Sequence, residues 1–557
     1  MNTDNIFIGV AWPYVNGDLH VGHLAGYLVP ADITARFFRS RGKSVLMVSG
    51  SDSHGTPITV EADKKGFPPQ EIVDIYHQEH KKLFDLFGLS FDIFTKTTTD
   101  NHKKVVQDVF VELAEKGYIV KKKSQQFYSE KKEKFLPDRY VEGECPNCGC
   151  KQARGDQCDK CGYLLEPEDL INPKSKLGGE KVTLKETEHY YLDLPKFQSF
   201  LEKYVEETGY QWRDWIYKET QGWLEKGLQQ RCITRDLEWG IEIPIERLPS
   251  NLQSTDIKGK RIYVWFEAVI GYLSASIEWN QKKWRDFWYN DNSKHYYFMG
   301  KDNLAFHALF WPSQLHGYDK EIHLPDQLVI NHFLNVEQKQ LSKSRNIIVD
   351  SRYVGETYGV DATRFYVTLI NPEKSDASFS WEHFVEVKNN ILIGTIGNFI
   401  NRVLKITPDS FDGFKTKVDP KVRKKINQYL EEAAENIKSS QLRAYVRSVI
   451  KLAEYGNQYF SEKKPWNLDK KGTEFKEVIS QTILIILAIN LAWRPLMPNS
   501  FEKLNSILGV EIKKWPAEKT VKYLEKILKK VDINNVKPLF EKISPDIIDE
   551  ERAKLDL

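Results

Sequence analysis

The chain has 557 residues, with 41% hydrophobic and 12% aromatic side chains. That length and apolar content supply several domains with buried cores and exclude a disordered or low-complexity protein. The charge balance, 80 basic against 78 acidic side chains and a net charge of +2, excludes a globally basic nucleic-acid binder, so any RNA contact must come from local patches.

The opening MNTDNIFIGVAWPY has no basic region followed by an apolar stretch and a small-residue cleavage site, so a cytoplasmic protein is expected. Residues 1–115 alternate strand and helix. Ile6 to Trp12 reads as a strand, Val21 to Arg39 as a helix with Leu24, Leu28, Ile33 and Phe37 near a 3.6-residue period, and Ser44 to Asp52 as a second strand. Short links between such elements make a parallel α/β unit, which binds ligands at the carboxyl ends of its strands.

The helix opens with His20-Val21-Gly22-His23. Two imidazoles three residues apart share a face, free N–H groups at a helix start attract phosphate, and Gly22 permits close approach of a nucleotide. Neither a Walker loop nor a G-x-G-x-x-G is present in this stretch, so neither common phosphate loop applies.

Residues 116–230 break the alternation and read as an insertion. Of six cysteines, five fall between Cys145 and Cys161, which argues for metal in a reducing compartment rather than disulfides. Cys145-x-x-Cys148 and Cys158-x-x-Cys161 supply four thiolates for one tetrahedral structural zinc, with Gly149 and Gly162 for the knuckle turns. Cys150 is surplus, and Cys232 reads as ordinary packing.

Residues 231–325 return to apolar runs. Arg261–Leu273, His295–Asp302 and Gln327–Val336 are expected as strands, with a helix from Ala305 to Leu315. Residues 326–385 carry a polar loop, Leu341-Ser342-Lys343-Ser344, whose lysine is a mobile point charge suited to a moving phosphate. Residues 386–557 read as an α-helical bundle, with Pro465, Pro495 and Pro498 at helix ends. Ile483 to Trp493 is too short an apolar run to span a bilayer and reads as a buried helix.

His20–His23 and the later lysine loop, in this order, resemble the two signatures of class I aminoacyl-tRNA synthetases. AWPYVNGDLHVGHLAG, SDSHGTPI, FLPDRYVEGECPNC, GLQQRCITRD, YVWFEAVIGY, MGKDNLAFHALFWP and LSKSRN extend the resemblance to the methionyl-tRNA synthetase family over nearly the whole chain. It implies a Rossmann-type parallel-sheet catalytic domain in two halves, a zinc-bearing connective insertion, a lysine-loop linker and a helical anticodon-binding domain. It implies a methionine–tRNA ligase that uses ATP, Mg²⁺ and one structural Zn²⁺ to load methionine onto tRNAs with a CAU anticodon, for initiation and elongation. His20, His23 and Lys343 would be catalytic, and Gly22 and Ser344 would join them in holding ATP. A thioether prefers aromatic edges, so the methionine pocket should be aromatic. The motifs place Trp12, Tyr14, Trp265, Ala268, Tyr272, His307 and Phe310 there, Asp52 on the ammonium group, and Arg235 and Asp302 in a charged network beside it. Unstacked anticodon bases are read by stacking and edge hydrogen bonds. The resemblance assigns this to Asn398, Arg402, Pro465 and Trp466. A monomer without membrane association is expected.

Three positions depart from the family pattern. Trp12 stands where many relatives have leucine, Val269 where many have proline, and Gln340 where the loop's first lysine is expected, with Lys339 beside it. Another class I synthetase, or a catalytically silent tRNA-binding relative, is the alternative.

Overall fold

The computed structural model describes residues 4–555 except 132, 137–139, 156, 157, 159, 164, 177, 178, 340–346, 409, 410 and 412–416. Five apolar segments form one parallel sheet: β1 (Asn5–Val10), β2 (Ser44–Ser51), β3 (Ile93–Lys96), β6 (Ser293–Gly300) and β7 (Gln327–Asn331), in the order β7-β6-β1-β2-β3. Phe7, Ile8, Tyr296, Tyr297 and Phe298 are at most 1% exposed, because helices cover both faces of the central strands. The chain runs outward from β1 to β3, then returns on the other side of β1 through β6. The gap between the carboxyl ends of β1 and β6 is therefore the topological switch point, where α/β sheets take their ligands.

Between the two halves, β4 (Ile119–Ser129) and β5 (Thr183–Leu192) form a long antiparallel pair, from Ile119↔Leu192 to Tyr128↔Thr183. A separate small core gathers Phe127, Leu136, Val141, Cys145 and Cys158 at its far end.

Arg261–Leu273 is not a strand. Only Arg261–Ile262 pair, and the chain then turns into three helical pieces, Val264–Glu267, Ala268–Ile270 and α2 (Gly271–Trp279). An unbroken apolar run carries no alternation to separate strand from helix. The fully buried side chains Phe266, Ile270 and Leu273 recur at helical spacing. Gln327–Val336 also divides: β7 stays in the sheet, while β8 (Leu334–Val336) pairs in parallel with β9 (Ala377–Phe379).

The helix at the first motif, α1, is continuous in three pieces, Val21–His23, Leu24–Leu28 and Val29–Ser40, the middle one a π-turn. The second half of the domain has a counterpart in the π-turn Phe306–Phe310, which runs on into α3 (Trp311–Tyr318). Beyond the lysine loop come α4 (Ser351–Tyr358) and α5 (Val360–Leu369). The bundle contains α6 (Pro420–Lys438), α7 (Leu442–Lys463) and α8 (Thr473–Leu496). On α6, Val422, Ile426, Leu430, Ala433 and Ile437 form the buried stripe. α8 is the one described helix long and apolar enough to cross a membrane, but 89% of its apolar window is buried inside the fold. Pro495 lies in its last turn and Pro498 opens the next helix.

Arg364 of α5 locks the bundle to the sheet layer. Its guanidinium, fully buried, donates to Asp32 of α1 at 2.7 Å, to Phe87 O at 3.1 Å, and to Leu496 O and Pro495 O at 2.8 and 3.0 Å. Burial pushes the Asp32 carboxyl up, but Arg364, Arg36 and Ser90 outweigh it and hold the group below the usual carboxylate range. The last helix, Ile547–Ala553, returns to the segments flanking the lysine loop. Glu551 accepts from the Tyr353 and Tyr358 hydroxyls at 2.6 Å each, and Arg552 reaches Glu337 at 3.2 Å.

Candidate active site

His20 is the N-cap of α1, not its first turn: its backbone is extended, at φ −110° and ψ 171°. Its Nδ1 accepts from the Gly22 N–H at 3.2 Å, and the His23 Nδ1 accepts in turn from the His20 N–H at 3.1 Å. An imidazole whose Nδ1 accepts carries its proton on Nε2. Both rings, 3.9 Å apart between centroids, therefore present Nε2–H donors. The expected free backbone donors are not there. Val21 N–H bonds to Val349 O at 3.1 Å, Gly22 N–H to His20, and His23 N–H to His20 O at 2.9 Å. At this turn the backbone N–H groups of residues 21–23 are therefore already engaged within the fold.

The same turn anchors the segment that follows the lysine loop. Val21 N–H to Val349 O, Ser351 N–H to Leu19 O at 3.3 Å, and a His20↔Asp350 bridge tie the segment after the loop to the histidine turn. Leu341-Ser342-Lys343-Ser344 and Gln340 lie outside the described residues.

A second group lies at the ends of β1 and β2. Asp52 N–H donates to Pro13 O at 2.9 Å, and Asp52 is 4% exposed, so the Trp12–Tyr14 turn is stapled beside a buried carboxyl group. Tyr14 meets the Trp265 ring edge-on at 6.4 Å, and Trp265 stacks on Phe306 at 4.4 Å. Arg235 lies 3.9 Å above the Tyr263 ring and shares a cavity wall with Trp265, Phe306 and Phe310. Ala268 is half-buried one helical turn from Trp265.

Tyr272 and His307 close the inner side. His307 Nδ1 faces the Asn303 carbonyl at 2.9 Å, which only accepts, so Nδ1 carries the proton and Nε2 accepts from the Tyr272 hydroxyl at 2.9 Å. Burial pushes the His307 pKa down to about 4, so the ring is neutral near pH 7. Trp12 lies deeper. A Cβ on Gly50 would stand 2.2 Å from its indole and one on Gly271 2.7 Å, so the two glycines make the slot that the larger ring fills. Asp302 sits across the β6 end, where its carboxyl accepts from the Asn303 amide at 3.1 Å. It also adds to the upward push on the Tyr27 hydroxyl, which comes chiefly from burial.

Sequence reasoning missed the network that holds this wall in place. Glu267, fully buried, meets His54 Nδ1 at 2.9 Å and His102 Nε2 at 2.7 Å. Burial raises its pKa, but the two imidazoles outweigh burial and hold it below the usual carboxylate range. His54 sits inside the SDSHGTPI stretch, two residues after Asp52, and was the available signal.

The four cysteines converge. The Sγ atoms of Cys145, Cys148, Cys158 and Cys161 all lie within 4.8 Å of one another, with Cys145–Cys161 at 3.8 Å and Cys148–Cys158 at 3.6 Å. A tetrahedron with Zn–S bonds of about 2.3 Å has S···S edges of about 3.8 Å, so the set fits a tetrahedral zinc. Gly149 and Gly162, at φ +67° and +73°, each return an N–H to the first cysteine of their pair, as thiolate knuckles require.

Far along the chain, Arg402 lies 5.7 Å above the Trp466 ring and 5.0 Å above Phe460. Trp466 is 48% exposed, Pro465 is buried beneath it, and Asn398 is exposed one turn before Arg402 on the same helix.

A family model described as class I tRNA synthetases (M) matches residues 6–404, and one described as the anticodon binding domain of methionyl tRNA ligase matches residues 411–556. The chain is 43% identical to a methionine–tRNA ligase of Roseiflexus sp. (strain RS-1) over 91% of this chain and 87% of that protein. It is 39% identical to one of Bacillus mycoides (strain KBAB4) over 99% of each. Its fold is similar to Mycobacterium tuberculosis methionyl-tRNA synthetase in complex with methionyl-adenylate, with a TM-score of 0.78, 22% identity, and coverage of 96% of this chain and 99% of that one.

Proposed function

The chain belongs to the class I methionyl-tRNA synthetases, and we infer that it activates methionine with ATP and passes the methionyl group to its tRNA. The observation that carries the site assignment is the pairing of two Nε2–H imidazoles with an aromatic, carboxylate-bearing pocket at the switch point between β1 and β6. Methionine lies between Tyr14, Trp265, Ala268, Tyr272, His307 and Phe310, with Trp12 below and its ammonium group on Asp52. Its carboxylate oxygen attacks the α-phosphorus of ATP. A new P–O bond forms, the bond to the bridging oxygen breaks, and pyrophosphate leaves. His20 and His23 donate to the oxygens that gain charge, Gly22 leaves room for the nucleotide, and Lys343 and Ser344 follow the departing phosphates. Arg235 and Asp302 complete the charged rim. The terminal adenosine hydroxyl of the tRNA then attacks the methionyl carbonyl, and AMP leaves. Mg²⁺ would neutralise the phosphate oxygens of ATP.

Methionine-dependent exchange of pyrophosphate into ATP tests this reading. Exchange is expected with methionine and at least 100-fold less with leucine or cysteine. Binding of tRNA without exchange would favour the silent alternative.

The domain limits at 115, 230, 325 and 385 are proposed on the same assignment, although β7 (Gln327–Asn331), just beyond 325, still pairs in the catalytic sheet. Cys145, Cys148, Cys158 and Cys161 would hold one zinc, which knits the tip of the insertion and takes no part in the chemistry. Elemental analysis of the purified protein is expected to give one zinc per chain, and Cys158→Ser to lower it by more than half. Full zinc in that variant would contradict the ligand set.

Trp466 would stack on an anticodon base while Asn398 and Arg402 reach its edge, with Pro465 fixing the platform. Base–aromatic stacking contributes about 1–3 kcal/mol per base. Trp466→Ala is therefore expected to raise the tRNA KM by about 10- to 100-fold. Pyrophosphate exchange, which needs no tRNA, should stay at the parent rate. A fall in exchange would show that the substitution acts through the fold.

A further inference from the structure

Directly after His23, α1 leaves regular geometry. Leu24–Leu28 is a π-turn, closed by the Val29 N–H on Leu24 O. A π-turn inserts one residue into the helix and so rotates the segments on its two sides by about 100° relative to each other. Leu24 and Leu28, the first and last residues of the turn, are both 0% exposed, so the insertion is packed in the core directly behind the histidine turn. The insertion turns the Val29 N–H from Ala25 O to Leu24 O, and Pro30, which has no N–H, leaves Gly26 O without its helical donor.

Two of those carbonyls are met by side chains. The Asn371 amide donates to Ala25 O at 2.6 Å, and the Asn331 amide donates to Gly26 O at 2.6 Å. Both asparagines are at most 1% exposed. They come from different elements. Asn331 ends β7, ahead of the lysine loop, and Asn371 lies just past α5, beyond it. The orientation of Asn331 is fixed from behind, because Arg213 donates to its Oδ1 at 2.7 Å and leaves the NH₂ group directed at Gly26. Arg213 itself comes from the insertion and also donates to Ser440 O, in the α6–α7 connection, at 3.1 Å. Buried carbonyls left without donors are costly, so an irregular turn persists where such donors are supplied.

We propose that Asn331 and Asn371 are positioning residues for adenylate formation: their amides hold the π-turn of α1 and thereby aim His20 and His23 at the phosphates. The proposal rests on the reading that those histidines bind the reacting phosphates. Neither asparagine touches substrate, and each acts through the backbone of residues 25 and 26.

The test is methionine-dependent pyrophosphate exchange by Asn371→Ala and Asn331→Ala, beside His20→Ala and the parent, with methionine affinity from tryptophan fluorescence. Amide hydrogen exchange of residues 24–29 is followed in the same samples. The asparagine variants are expected to lose at least tenfold in exchange kcat, keep the methionine Kd within twofold, and exchange the amides of 24–29 at least tenfold faster. Unchanged kcat would overturn the proposal, as would a parallel loss of kcat and methionine affinity. If His20→Ala retained exchange, the phosphate reading would fail instead. Should an alanine variant not fold, Asn371→Ser, which withdraws the amide with a smaller change in volume, is judged by the same outcomes.

Discussion

Alanine in place of His20 or His23 is expected to lower methionine-dependent pyrophosphate exchange by about 10²- to 10³-fold, the usual effect of removing one donor to charge that develops in a transition state. Methionine affinity should change less than twofold, because the proposed pocket lining is supplied by other side chains. The two losses should not add. His20 Nδ1 accepts from Gly22 N–H, and His23 Nδ1 accepts from His20 N–H, so each imidazole helps to orient the turn that carries the other. Removing either leaves its partner misplaced, and the double variant should lie within about tenfold of the worse single one. Asparagine at His23 separates orientation from chemistry. It keeps an acceptor for the His20 N–H but offers no group at the Nε2 position. Exchange by His23→Asn close to that of the parent would remove His23 from the phosphate site, as would equal losses in exchange and methionine affinity.

The motif was legible because both histidines and the glycine are contiguous, and the parallel sheet because its strands are uniformly apolar. The atomic roles within the motif were not legible. Which ring nitrogen carries the proton depends on Gly22 N–H and His20 N–H, and the occupied backbone donors depend on Val349, more than 300 positions away. The π-turn after His23 leaves no composition signal, since Leu24 to Leu28 is as apolar as any buried helix. Arg261–Leu273 misled for the same reason: with both faces covered, its residue types suit strand and helix equally. The cysteine pairs are the opposite case, in which spacing alone specifies geometry and the fold has little freedom to alter it. Arg402 and Trp466 were separable by sequence only as two candidates. The cation–π contact between them needs the packing of two helices.

Glu267 illustrates how much of a pocket lies behind its visible wall. It joins three separate parts of the chain: its own helix, which carries Trp265 and Ala268 on either side of it, the Asp52 loop through His54, and the helix Asp100–Glu115 through His102. His102 Nδ1 continues to the Ser274 hydroxyl at 2.8 Å, so the network also grips α2, where Tyr272 stands. Every member but His54 is 0% exposed, and His54 is 8% exposed. Removing one partner from a buried charged cluster leaves the others without compensation, at a typical cost of about 3–5 kcal/mol, so Glu267→Ala is expected to lose about 4 kcal/mol of stability. Glu267→Gln keeps the volume and one acceptor, and should lose about 1–3 kcal/mol. Both changes should weaken methionine more than ATP, because the network supports Trp265, Ala268, Tyr272 and Asp52 rather than the histidine turn. The sign with pH comes from the lowered carboxyl pKa. Its contribution is fully present above about pH 4.3, the unfolded value, and is lost as the pH falls toward the folded one. Urea unfolding at pH 7 and the methionine KM in exchange check the prediction. Glu267→Gln with parent stability and parent methionine KM would contradict it. An equal rise in the methionine and ATP KM values would instead place the effect in the domain as a whole.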